Sequence, residues 1–359
     1  MAGKRVVIKI GSSTIVGDDG HVNARFLGPL VSELHALINE GVEPIIVSSG
    51  SIALGLEVLG MGGGERPNDM PTLQAAAAVG QVELINAYKE TFGCFGIEAA
   101  QVLITRATTG ERESYLHARD TMERLLSLGV VPVVNENDTI AVDEIRFGDN
   151  DSLAATVATS INADLVILLS DIDGLYTADP RSNKDAELLE RVGKMSEEIE
   201  ASAGGVGSRR GTGGMVTKIA AARILMAAGI PMVICEGHRP HAVTDAVHGE
   251  HVGTTFFDEE SSGLHARKSW IALGGKPKGS VTCDDGACEA LRKRGSSLLP
   301  VGITACTGSF QAGDVVNIVD TEGRMVGRGL AGYNSTELAG NLRKHGAPQF
   351  INRDQLVIF

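Results

Sequence analysis

Short runs of β-branched residues punctuate the first two thirds of the chain: RVVIKIG (5–11), EPIIVSSG (43–50), EAAQVLIT (98–105), VVPVVNEN (130–137), DLVILLSD (164–171) and PMVICEG (231–237). Several are apolar throughout rather than alternating, the pattern of strands covered on both faces. Between them, LGPLVSELHALINEG (27–41) and MVTKIAAARILMAAG (215–229) carry apolar residues at helical spacing. The alternation predicts an α/β fold, a mostly parallel sheet sandwiched by helices. Ligands of such sheets collect beyond the carboxyl ends of the strands. Chemistry is therefore expected in the stretches that follow the runs: KIGSS, SSG, TRA, NEND and SDIDG.

After residue 257 the texture changes. Residues 258–279 mix charges, Gly and Ser and read as a linker. From 280 to 359 the runs shorten to SVTC, LLPVGIT, VVNIVD, RMVGRG and LVIF, with one helical stretch, ACEALRKRG (287–295). This predicts a first domain over 1–257 and a small, mostly β second domain over 280–359. No internal repeat or low-complexity tract is visible.

Composition narrows the picture. With 43% hydrophobic and 21% charged residues, the chain has the balance of a soluble globular protein. Aromatics are only 4%, so Val, Ile, Leu and Ala must build the core. A net charge of −13 argues against bulk electrostatic binding to nucleic acid or an anionic membrane, while leaving a local basic patch open. The five cysteines are odd in number and scattered, which suits reduced thiols. Cys283 and Cys288 are close, yet no second Cys or His pair stands at zinc spacing. No apolar run approaches ~18 residues and the N-terminus lacks an apolar export core, so a cytoplasmic protein with no membrane partner is expected.

Four stretches carry candidate chemistry. Lys9, in VVIKIGSS, reads either as a lysine at an exposed strand end or as a point charge beside an anion-binding turn of Gly11, Ser12 and Ser13. In GTGGMVTK (211–218), Lys218 falls in a first helical turn, where a cation opposes the helix dipole unless it neutralises an anion. The GK[ST] ending of a P-loop is absent, and a glycine-rich linker with an incidental lysine is the competing reading. NEND (135–138) and GDND (148–151) set carboxylates beside amides at a strand end and a helix start. One of these side chains is needed as a cap, and the rest suit a substrate ammonium or the orientation of lysines. SDIDG (170–174) is a common turn sequence whose place at a strand end suits hydrogen bonds to a nucleotide. No Gly-x-Ser-x-Gly elbow supports a serine hydrolase, and no G-x-G-x-x-G opens the first helix.

Together, VVIKIGSS, VSSGSIALG, VVNENDTI, RFGDNDSLAA, SDIDGLYTADPR and GTGGMVTK resemble the amino-acid kinase family, and ALRKRGSSLLPVGI with GSFQAGDVV resembles a PUA domain. The resemblance covers nearly the whole chain. It implies transfer of the γ-phosphoryl group of ATP, accompanied by Mg2+, to the side-chain carboxylate of L-glutamate, on the way to proline. Carried onto this chain, it assigns Lys9 and Lys218 to the phosphates and Asp149 to orienting them. Ser49, Asp138 and Asn150 fall to glutamate, with Asn135 nearby. The nucleotide falls to Lys9, Gly11, Ser170, Asp171, Thr212, Gly213, Gly214, Met215, Thr217 and Lys218. That division leaves Asp151 as the helix cap. No metal ligand is assigned. Proline is expected as a feedback inhibitor, and a homo-oligomer is expected.

Two positions depart from the family pattern. Arg146 stands where a lysine is usual, and Val216 where a serine is frequent. The resemblance leaves other amino-acid kinases as alternatives, acting on N-acetylglutamate, carbamate or aspartate. A reading of a different class is RNA binding by the second domain through Lys276, Lys278, Arg292, Lys293 and Arg294, against which stands a solvated helix face on an acidic chain.

Overall fold

Along β1 (Lys4–Ile10), Val6, Ile8 and Ile10 alternate with Val7 and Lys9, and both sets are buried. A strand of this kind needs a layer of helices on each side. A computed structural model describes residues 3–105, 112–140, 150–178, 180, 183, 185–196, 199, 214–257, 277–294, 296–344 and 346–358. The chain divides into two compact units, Met1–Arg106 with Leu116–Gly263 and Ala107–Tyr115 with Leu264–Phe359. Of the stretch expected to be a linker, 258–276 lies outside the described residues.

In the first unit β1 pairs in parallel with β2 (Val42–Ser48) and β5 (Leu165–Ser170). With β3 (Ala99–Ile104), β4 (Val131–Glu136), β6 (Arg191–Val192), β7 (Met232–Glu236) and β8 (Gly253–Phe256), they form an eight-stranded sheet ordered β3-β4-β2-β1-β5-β7-β8-β6. Every pair is parallel except β7 with β8. The chain steps from β1 to β2 on one side and from β4 to β5 on the other. The strand order therefore reverses around β1, which opens a crevice at its carboxyl end.

One face of the sheet is covered by α2 (Ala24–Asn39), α4 (Met70–Gly93) and α8 (Ala242–His248), whose apolar side chains meet Val6, Ile8 and Ile10. The helix α2 starts where Asn23 accepts from the Phe26 N–H at 3.3 Å. It buries Phe26, Leu27, Leu30, Val31, Leu34 and Leu37 at helical spacing. Each buried side chain stabilises by about 1.5–3 kcal/mol, so burial outweighs a cap worth ~1 kcal/mol. The other face carries α5 (Arg112–Ser127), α6 (Asn150–Ser160) and α7 (Met215–Ala228), packed on Val7, Val47, Val166 and Leu168. α7 ends at Gly229, whose φ of 70° lets its N–H reach the Leu225 and Met226 carbonyls.

The short helices α1 (Ser12–Ile15) and α3 (Ser51–Val58) follow β1 and β2 directly. Gly50 opens α3 at φ 105°, and a Cβ there would press into Ile15 and Val16. Farther along, α3 and α4 touch backbone to backbone. A Cβ on Gly55 would strike the Ala76 carbonyl, and one on Gly80 the Ser51 carbonyl. Glycine at these positions brings the middle of α4 against the start of α3.

The second unit is a five-stranded sheet ordered β10-β9-β11-β12-β13. Its strands are β9 (Gly279–Cys283), β10 (Ile303–Gly308), β11 (Val315–Val319), β12 (Met325–Leu330) and β13 (Leu356–Ile358). Only β9 and β11 run parallel. With α9 (Asp285–Arg294) and α10 (Ser335–Asn341) they enclose a core of Val281, Leu291, Phe310, Ile318, Val326 and Phe350. Of the candidate basic patch, Lys278 and Arg292 are exposed, while Lys276 and the side chains of Lys293 and Arg294 lie outside the described residues. All five cysteines are free, and burial pushes the Cys235 and Cys283 thiols up to about 12. Among the described residues, no helix is long and apolar enough to cross a membrane.

Candidate active site

Strand alternation puts Lys9 on the same face as Val7, beneath α6 and α7, where it is 8% exposed. An ammonium cannot stay there without a partner. The first turn of α6 supplies one: Asp151 Oδ1 lies 2.8 Å from Lys9 Nζ. Its other oxygen, Oδ2, lies 3.2 Å from Nζ of Lys218, itself 6% exposed in the first turn of α7. Thr217 Oγ1 donates to the same Oδ2 at 2.7 Å. Burial alone would raise the Asp151 pKa. The charges of Lys9 and Lys218 and the hydrogen bonds from Lys9 and Thr217 outweigh that and hold it down at about 2. Asp151 is thus a fixed anion that aligns two buried cations.

This changes the role of Asp151 within FGDND. The sequence reading gave the lysines to Asp149 and left Asp151 as the cap. Asp151 sits in the first turn of α6, but its side chain goes to the lysines, because two buried ammonium groups demand a carboxylate more strongly than a helix end does. Asp149 and Arg146 lie outside the described residues.

On the other side of β1 the polar side chains that meet at the strand ends are mainly amides and hydroxyls, with the Asp138 carboxylate beside them. Asn150 Nδ2 lies 3.0 Å from the Ser48 carbonyl oxygen, 2.8 Å from Ser49 Oγ and 3.1 Å from Asn135 Oδ1. Asn135, at the end of β4, accepts the Glu136 N–H at 2.8 Å on that same Oδ1. Its Nδ2 donates to Gln81 Oε1 of α4 at 2.8 Å and to Ser51 Oγ at 3.4 Å. Ser51 in turn donates to Asp138 Oδ2 at 3.2 Å. Behind them, the fully buried Tyr88 hydroxyl donates to Ser48 Oγ at 3.0 Å. Ser49, Asn135, Asp138 and Asn150 line one cavity of about 340 Å³, together with Gly50 and Ser51 of the α3 start. Glu57, Gly62, Gly63, Gly64 and Arg66 line it as well.

The residues assigned to the nucleotide lie toward β5. Gly11 N–H reaches the Leu169 carbonyl at 3.4 Å, and Ser170 Oγ donates to Asp171 Oδ1 at 3.1 Å, so these ends of β1 and β5 are neighbours. Gly214 is the N-cap of α7, in an extended conformation without a side-chain cap, and Met215 and Thr217 follow it. Thr212 and Gly213 lie outside the described residues. Val216 is 54% exposed on α7, pointing away from the buried lysines. Ser51 and Gln81 were missed in the sequence. Ser51 sits within the quoted VSSGSIALG, but Gln81 is a lone polar residue in an Ala-rich helix, with no spacing to mark it.

The parallel sheet with its reversal at β1, and two lysines bridged by a carboxylate at that point, are the frame of a phosphoryl-transfer enzyme. The chain belongs to the amino acid kinase family, which it matches over residues 4–236, and residues 279–347 match the PUA domain. Its relatives include the glutamate 5-kinase of Citrifermentans bemidjiense, 42% identical over 367 residues, covering 99% of this chain and 97% of the relative. The glutamate 5-kinase of Geobacter metallireducens is 45% identical over 335 residues, covering 93% and 89%. That of Moorella thermoacetica is 45% identical over 336 residues, covering 94% and 88%.

Proposed function

We propose that the protein catalyses the reaction of a glutamate 5-kinase: the γ-phosphoryl group of ATP passes to the side-chain carboxylate of L-glutamate, giving L-glutamyl 5-phosphate and ADP, the first step toward proline. The observation that carries this reading is the Lys9–Asp151–Lys218 bridge, flanked by a cavity with Asp138, Asn135 and Asn150. Full-length similarity to relatives of that name supports the same choice.

A glutamate side chain is already ionised near neutral pH, so its attack on phosphorus needs no general base. A carboxylate oxygen bonds to the γ-phosphorus while the bond to the β-phosphate oxygen breaks. What the protein must supply is alignment and positive charge. Each lysine ammonium has three donors and spends one on Asp151, which leaves two apiece for phosphoryl oxygens. Because Asp151 holds both before the substrate arrives, little reorganisation accompanies transfer. Asp138 takes the α-ammonium of glutamate, and Ser49, Asn135 and Asn150 complete that pocket. Gly11, Ser170, Asp171 and the residues from Thr212 through Lys218 hold the nucleotide. Proline, which shares the ammonium and α-carboxylate, competes for the glutamate pocket.

Magnesium belongs to this reading as part of Mg·ATP. No group of three or more His, Cys, Asp or Glu side chains that could hold a metal exists among the described residues, and Asp151 is consumed by two cations.

The test is ADP release with glutamate, N-acetylglutamate, aspartate and carbamate in parallel. Turnover with glutamate alone is expected. Turnover with another acceptor and none with glutamate overturns the reading.

A further inference from the structure

Two backbone groups dictate the orientation of three amides. The Ser48 carbonyl can only accept, so the atom of Asn150 facing it is Nδ2. The Glu136 N–H can only donate, so the atom of Asn135 facing it is Oδ1. Asn135 must then turn Nδ2 toward α4, where Gln81 answers with Oε1. The two hydrogens of Asn150 Nδ2 are spent on Ser48, Ser49 and Asn135. Asn150 lines the cavity, and Oδ1 is the polar atom of its side chain that these contacts leave over.

Gln81 itself is expensive. It sits on the buried stripe of α4 with Ala77, Leu84 and Tyr88, at 8% exposure. Its Nε2 has no partner among the described residues. An apolar side chain of the same length would fill this place without an unsatisfied donor. The close approach of Gly80 to Ser51 brings Gln81 against Asn135.

We infer that Gln81, which does not line this cavity, is a positioning residue: by accepting from Asn135 it helps hold Asn150 with its carbonyl oxygen toward the cavity, beside the Asp138 carboxylate. The ammonium of the amino acid is then read by two acceptors, one charged and one neutral. This rests on the proposed glutamate reaction.

The experiment is steady-state kinetics of the full chain with glutamate and ATP varied in turn, for wild type, Gln81→Met and Gln81→Glu, with thermal melts alongside. In Gln81→Met the glutamate KM rises about tenfold, the factor given by about 1.4 kcal/mol of lost hydrogen bonding. The ATP KM and kcat stay within about twofold. Gln81→Glu keeps an accepting oxygen for Asn135 and returns the glutamate KM to within about threefold of wild type. Should the methionine variant fail to fold, the glutamate variant decides alone, and a tenfold rise there overturns the inference. An unchanged glutamate KM in Gln81→Met, or equal rises for both substrates, also overturns it. A wild-type arm without glutamate turnover sinks the proposed reaction and this inference together, which separates that failure from failure of the inference alone.

Discussion

The two sides of β1 satisfy buried polar groups in opposite ways. Toward α6 and α7 the solution is ionic, with two lysines sharing one carboxylate. Toward β2 and β4 it is neutral, a relay of amides and hydroxyls from Tyr88 through Ser48, Asn150 and Asn135 to Gln81. The ionic side can stabilise charge that develops during a reaction. The neutral side cannot, but it fixes the direction of its amide donors and acceptors with no formal charge among them. An enzyme that moves a phosphoryl group onto a recognised amino acid needs both, side by side, and the strand reversal at β1 is what makes them neighbours.

Breaking the ionic side gives the largest effect. Asp151→Asn leaves two buried ammonium groups with no anion, and loss of one partner from a buried ion pair costs about 3–5 kcal/mol. The variant therefore melts well below wild type and loses turnover. Acid sharpens the point. The folded pKa of Asp151 is about 2, below the ordinary carboxylate value, so its stabilisation is present above about pH 4 and disappears as pH falls toward 2. Denaturant melts across that window lose ~2 kcal/mol more in wild type than in Asp151→Asn. Equal slopes would count against Asp151 as the common anion.

The cavity side responds more gently and to one substrate. Asp138→Asn retains an oxygen to accept from Ser51 but removes the charge proposed to face the ammonium. Its glutamate KM rises about tenfold or more while the ATP KM moves less than about twofold, since a lost charge-assisted hydrogen bond is worth about 1.5–3 kcal/mol. Parallel increases in both would place Asp138 outside the ammonium pocket.

The same contrast explains what was legible in the chain. Strands β1, β2, β4, β5 and β7 announce themselves as apolar runs because both faces are largely buried, and the carboxyl-end rule then points to the loops after them. Strands β6 and β8 were not visible: two and four residues are too short to carry a period. Lys9 and Lys218 stood out because a lysine amid valine and isoleucine, or in a first helical turn, is electrostatically anomalous. That Asp151 pairs with the lysines rather than only capping its helix was not legible, since three polar residues stand in one cluster and the turn of α6 is what carries the Asp151 carboxylate to Lys9. Gln81 was silent for a related reason. Its meaning lies in Gly55 and Gly80, which bring two helices together over a distance in sequence that no local pattern spans.

The central claim is that the two lysines act as the cationic centre for phosphoryl transfer, and steady-state kinetics of Lys218→Ala test it most directly. The variant leaves Asp151 paired with Lys9, so the fold is retained, and kcat falls about 10²-fold or more while the glutamate KM stays within about threefold. A folded Lys218→Ala protein with near-normal kcat would contradict the account.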